Sequence, residues 1–102
     1  MDCAKFAIFS DVHGNLEALE AVLADIAAER VQEMICLGDI VGYGPNPAEC
    51  LEMIRCLGCA AVMGNHDEAC VEPEREEGLN EYARAGIAYA RRQLTTAQKA
   101  WL

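Results

Sequence analysis

A chain of 102 residues, 53% hydrophobic and 25% charged, has the composition of one globular domain or of a piece of a larger one. Its net charge of −9 argues against a nucleic-acid binder, which needs clustered Lys and Arg to neutralise phosphates. It leaves a small phosphorylated substrate open, because a bound cation reverses the local field. No apolar run approaches the roughly 20 residues that span a bilayer. Asp2 stands where a signal peptide would be basic, and the apolar stretch after it is short, so a cytoplasmic protein without membrane contact is expected.

"KFAIFSD" is a short apolar run of the kind that forms a strand buried on both faces of a parallel sheet. From Asn15, the residues Leu16, Leu19, Leu23 and Ile26 recur at helical spacing and predict an amphipathic helix to about Arg30. "EMICLGD" is a second strand. After the loop "IVGYGPNPAE", Asn46 as N-cap, Pro47 at the first turn and Glu49 three residues after the cap open a second helix. Its apolar face is Cys50, Leu51, Ile54 and Leu57, and Gly58 stops it. "CAAVMGN" is the third strand. This βαβαβ order predicts an α/β fold: a parallel sheet with flanking helices.

The acidic stretch Glu72 to Gly78 reads as a surface loop. Leu79, Ala83, Ile87, Ala90 and Leu94 then mark a third helix, and Thr95 with Gln98 a capping box that opens another. The apolar pair Trp101-Leu102 closes the sequence and is expected to be covered by a further segment or a partner. Six cysteines, at 3, 36, 50, 56, 59 and 70, contain one C-x-x-C spacing (Cys56, Cys59) and no second pair. They are expected to be reduced packing residues rather than zinc ligands or disulfides.

The three strands end alike. Each has apolar residues, then a small one (Ser10, Gly38, Gly64), then an oxygen donor (Asp11, Asp39, Asn65), at separations of 28 and 26 residues. A parallel sheet brings all three to one edge, where open α/β sheets place their sites. His13 and His66 arrive with them. Converging carboxylates and an amide suit a hard divalent cation, and His13 adds a nitrogen. Asp39, on the central strand, is placed to bridge to a second ion near Asn65, and two ions clamp a phosphoryl group. Taken singly, Asp11, Asp39 and Asn65 also read as turn or helix caps and His13 as a surface histidine. Gly42, Gly44 and Pro45 read as turn formers at the pocket rim. Tyr43 reads as a substrate contact or an exposed loop residue.

"DVHGN", "GDIVGYGPNP" and "GNHD" together resemble the first three motifs of the calcineurin-like metallophosphoesterases, in the small bacterial and archaeal phosphodiesterase-like branch. The resemblance implies a four-layer α/β/β/α sandwich with a dinuclear metal centre, of which residues 1–102 would be the N-terminal part and the C-terminal half absent. Asp11 and His13 would hold the first ion, Asp39 would bridge, and Asn65 would hold the second. Asn65 and His66 would bind substrate, His66 stabilising or protonating the leaving oxygen. Some relatives assist that His with an Asp three residues after the bridging Asp. Here that position is Gly42, and Asp67 is expected to orient His66 instead.

The later histidines of the family do not occur in this sequence, so two ions (Mn, Fe, Zn, Ni or Mg) are expected in a full site and one or none in this chain alone. The implied function is metal-dependent hydrolysis of phosphate mono- or diesters, incomplete in this chain. The alternative is a truncated, non-catalytic interaction module that binds metal weakly. The implied partners are a phosphorylated small molecule or phosphodiester, and a second copy or a complementing C-terminal half.

Overall fold

Apolar runs too short for helices, alternating with segments of period 3.6, fold as three strands and their crossovers. A computed structural model describes residues 4–102, so Asp2 and Cys3 lie outside the described residues. Strand β1 is Phe6–Phe9, β2 Glu33–Cys36 and β3 Ala60–Ala61. They pair in parallel in the order β1-β2-β3, with Phe6 opposite Glu33, Ile8 opposite Ile35 and Cys36 opposite Ala61. Helix α1 (Leu16–Ala28) joins the first two strands and α2 (Pro47–Leu57) the second and third. Two right-handed crossovers through neighbouring strands place both helices on one face of the sheet.

That asymmetry corrects one expectation. The strands are covered on one face only. Phe9 is half-buried and Cys36 fully buried, whereas Phe6 is 57% and Ile8 63% exposed. Strand β3 is also shorter than "CAAVMGN" suggests: the Val62 N–H still donates to the Cys36 carbonyl at 3.0 Å, but Val62 and Met63 stand exposed beyond the paired residues Ala60 and Ala61.

Helix α2 is the centre of the core. Cys50, Leu51 and Ile54 are fully buried, as its apolar spacing requires, and burial of Leu51 and Ile54 contributes about 1.5–3 kcal/mol each. Gly58 ends the helix in the left-handed region (φ 66°). Asn46 stands at the N-cap, but its side chain makes no bond to a helix N–H; it donates to Glu49 at 2.6 Å. Asn15 does cap α1, accepting from the Ala18 N–H at 3.1 Å.

Helix α3 (Asn65–Val71) follows directly on the third strand end, a helix that no apolar periodicity predicts. The acidic stretch holds a single 3-10 turn, Pro73–Glu76. Helix α4 (Glu81–Gln93) buries Ala83, Ile87 and Ala90, and α5 (Thr96–Trp101) begins at the expected capping box of Thr95 and Gln98. Trp101 and Leu102 are half-buried against the core. Arg91 of α4 holds α3 from behind, donating to the carbonyls of Ala69 (2.8 Å) and Cys70 (3.0 Å) and pairing with Glu76.

The five described cysteines are free. Cys36, Cys50 and Cys70 are buried as small hydrophobes; Cys56 is exposed, so it does not pack. Among the described residues, no helix is long and apolar enough to cross a membrane.

Candidate metal centre

Where the strands stop, their backbones stay together. The N–H groups of Asp11, His13 and Gly14 donate to the carbonyls of Gly38 (3.0 Å), Asp39 (2.9 Å) and Ile40 (2.8 Å), extending the β1–β2 pairing through both loops. The β2 and β3 ends approach still more closely. A Cβ on Gly38 would lie 2.4 Å from the Gly64 nitrogen, and one on Gly64 would lie 2.2 Å from Asp39 Oδ1 and 2.5 Å from the Asp39 nitrogen. The small residues at the strand ends are therefore required by main chain meeting main chain. Gly38 is also left-handed (φ 98°). Asp11 (φ 57°), His13 (φ 48°) and Asp39 (φ 56°) share that conformation, which Asp and His tolerate better than most side chains.

These turns bring the candidate ligands together. One ligand atom each from Asp11, His13 and Asp39 lie within 4.8 Å of one another. His13 Nδ1 is 3.1 Å from the Val41 carbonyl, which can only accept, so the ring proton sits on Nδ1 and the Nε2 lone pair is free. That lone pair lies 3.2 Å from Asp11 Oδ1. Asn65 stands 3.2 Å from both carboxylate oxygens of Asp39; with its oxygen toward Asp39 two acceptors face each other, and with its nitrogen toward Asp39 the amide donates to both. A proton or an amide turn relieves each contact separately. A cation relieves both at once, and a mixed oxygen and nitrogen donor set fits a divalent metal. The Ser10 hydroxyl donates to Asp11 Oδ2 at 2.8 Å and holds the Asp11 carboxyl below its usual range.

His66, 6% exposed, joins the group from the first turn of α3. Its ring centroid is 4.7 Å from that of His13 and 5.0 Å from that of Tyr43, and Tyr43 is 5.1 Å from His13. Burial, reinforced by His13, pushes the His66 imidazole below the ordinary histidine range. Its Nδ1 is buried without a hydrogen-bond partner. That atom lies against Gly42, where a Cβ would come within 2.5 Å of it. So the position at which an assisting carboxylate was expected to be missing is the one that faces the unpaired nitrogen.

Asp67 does not fill that gap. Its carboxylate is fully buried and accepts four main-chain N–H groups: Asp39 (2.8 Å) and Gly64 (3.0 Å) on Oδ2, Ile40 (2.9 Å) and Val41 (3.2 Å) on Oδ1. An ionised carboxylate has about four acceptor sites, so none is left for His66. The expectation that Asp67 orients His66 is therefore not met by this geometry. Burial pushes the Asp67 carboxyl up and the four donors pull it down, with burial the larger influence.

Sequence reasoning also left Tyr43 undecided and passed over the Val41 carbonyl. A carbonyl carries no signature of residue type. Tyr43 stood out only as one aromatic between two glycines.

Comparison with known proteins agrees with this geometry. Residues 4–96 match the family model described as calcineurin-like phosphoesterase. An uncharacterized protein of Methanocaldococcus jannaschii is 48% identical over 89 residues, which are 87% of this chain and 37% of that protein. A symmetrical bis(5'-nucleosyl)-tetraphosphatase of Pectobacterium carotovorum is 41% identical over 63 residues, 59% of this chain and 22% of that one. The crystal structure of a metallophosphoesterase from Sphaerobacter thermophilus superposes with a TM-score of 0.78 at 44% identity, covering 98% of this chain and 40% of that chain. This chain thus spans about two fifths or less of the length of these relatives. By its family match, its relatives and its fold, the chain belongs to the calcineurin-like phosphoesterases.

Proposed function

We propose that the chain contributes one wall of a two-metal centre that hydrolyses phosphate esters or anhydrides. The observation that carries this reading is the convergence of ligand atoms from Asp11, His13 and Asp39 within 4.8 Å, with Asn65 beside Asp39, at the ends of three parallel strands. Asp11, His13, Asp39 and Asn65 are the residues that would hold the ions. Bound divalent ions supply Lewis acidity, polarising a phosphoryl group and acidifying water.

The chain's own residues do the rest. Val41 keeps the His13 proton away from the ion by fixing it on Nδ1. His66 contacts the phosphoryl group. With Nδ1 buried and unpaired, the neutral ring places its proton on Nε2, where it can donate a hydrogen bond to a phosphoryl or leaving oxygen. The Tyr43 ring packs against both histidines.

The remaining ligands come from outside this sequence, from a C-terminal segment or a second copy; relatives more than twice as long support this part of the reading. The relatives named as bis(5'-nucleosyl)-tetraphosphatases point to a nucleoside polyphosphate as one substrate class. Hydrolysis of an aryl phosphodiester and of a dinucleoside tetraphosphate, with and without added Mn²⁺, tests the proposal. The expected result is Mn²⁺-dependent turnover that Asp39→Asn abolishes; equal rates for wild type and variant would overturn it. Calorimetric titration with Mn²⁺ counts the ions, and an absence of binding would favour a non-catalytic module.

A further inference from the structure

We propose that Asp67 is a positioning residue that sets the separation between the two sides of the metal centre, and this rests on the function proposed above. Three of its four donors, the N–H groups of Asp39, Ile40 and Val41, are consecutive in the chain and point at one carboxylate. Such a run forms where the main chain turns through the left-handed region, as it does at Gly38 (φ 98°) and Asp39 (φ 56°), and it makes a concave anion-binding nest. The anion in this nest is supplied by another element, α3, which also carries Asn65 and His66.

A helix-capping role alone does not account for this. As third residue of α3, Asp67 needs only the Gly64 N–H to close its half of a capping box. The other three donors belong to the loop after β2. The link is also reciprocal, because Asp39 Oδ1 accepts the His66 N–H at 3.0 Å. Asp67 therefore holds the main chain of Asp39, and Asp39 holds the main chain of His66. Neither bond uses the Asp39 Oδ2 atom. Among the described residues, the only hydrogen-bond donors to Asp67 are main-chain N–H groups, so the pairing fixes backbone to backbone without a mobile cationic side chain.

Asp67→Asn keeps the shape of the side chain but turns an NH₂ group toward two of the four donors. The test is made on the metal-free chain by amide hydrogen exchange and on the same chain by Mn²⁺ titration. A core variant, Leu51→Val, adjusted by urea to equal fractional stability, serves as control. The expected result is selective loss of protection for one donor pair, either Asp39 with Gly64 or Ile40 with Val41, together with a displaced Asn65 side-chain amide resonance. Mn²⁺ affinity is expected to fall at least tenfold in Asp67→Asn and to hold in Leu51→Val. Unchanged protection in Asp67→Asn, or an equal loss of affinity in both variants, would overturn the positioning role. Exchange and the Asn65 resonance need no metal, so they decide this inference even if the wild-type chain binds no Mn²⁺ and the proposed function fails.

Discussion

Gly64→Ala adds one methyl group at the closest point of the site. The backbone at Gly64 (φ −83°, ψ 173°) is ordinary extended geometry, so alanine meets no conformational penalty there and the effect is steric. The new Cβ would sit 2.2 Å from Asp39 Oδ1 and 2.5 Å from the Asp39 nitrogen, about 1 Å inside ordinary contact. The carboxylate can rotate away; the main-chain nitrogen cannot move without stretching its 2.8 Å bond to Asp67. Overpacking of this kind costs about 1–3 kcal/mol, and loss of a buried charge-assisted hydrogen bond adds about 1–3 kcal/mol. The sum, roughly 2–6 kcal/mol, is a large share of the roughly 5–15 kcal/mol expected for a domain of this size.

Urea unfolding of the metal-free chain measures that loss, and Mn²⁺ titration measures the displacement of Asp39. Gly64→Ser is a useful companion, because serine is a better N-cap than alanine yet meets the same clash. Gly58→Ala is the control. Nothing lies within 4 Å of its Cβ, so only the left-handed φ of 66° matters, at about 1 kcal/mol. The close-packing argument fails if Gly64→Ala unfolds within about 0.5 kcal/mol of wild type.

Alkaline pH should destabilise the fold through its buried thiols. Burial pushes Cys50 from 9.0 to about 11, with Cys36 and Cys70 moved in the same direction. Between those values the unfolded chain releases the Cys50 proton and the folded chain keeps it, so stability falls as pH rises above about 9. The loss from Cys50 approaches about 3 kcal/mol near pH 11. Urea midpoints at pH 8 and pH 10.5 under reducing conditions check this, and Cys50→Ala should flatten the dependence. Arg91→Lys removes the forked contact to Ala69 and Cys70 and should cost roughly 1–3 kcal/mol. Faster amide exchange in α3 than in α1 would show that the loss is local; an unchanged urea midpoint would show that Arg91 is dispensable.

The three strand ends were legible because a small residue followed by an oxygen donor, repeated at one strand-helix spacing, carries both topology and chemistry in residue types. The helices α1, α2, α4 and α5 were legible for the same reason: their apolar spacing and caps are side-chain properties. What stayed hidden is made by the main chain. The nest around Asp67 consists of N–H groups that any residue provides, so "NHDE" gave no sign that its Asp faces away from His66. Helix α3 starts at a glycine and runs seven residues, too short for a periodicity to emerge. Strand β3 is short because its pairing with β2 goes no further than the Val62 N–H on the Cys36 carbonyl, and that extent is set by tertiary contact rather than by residue type.

Asp11, His13, Asp39 and Tyr43 all stand at positive φ, each at a conformational cost of order 1 kcal/mol that glycine would not incur. Fold stability alone would therefore let these four positions drift toward glycine or asparagine. In a descendant released from selection for metal chemistry, they are where decay should appear first, while Gly38 and Gly64 persist because the backbone still has to pass.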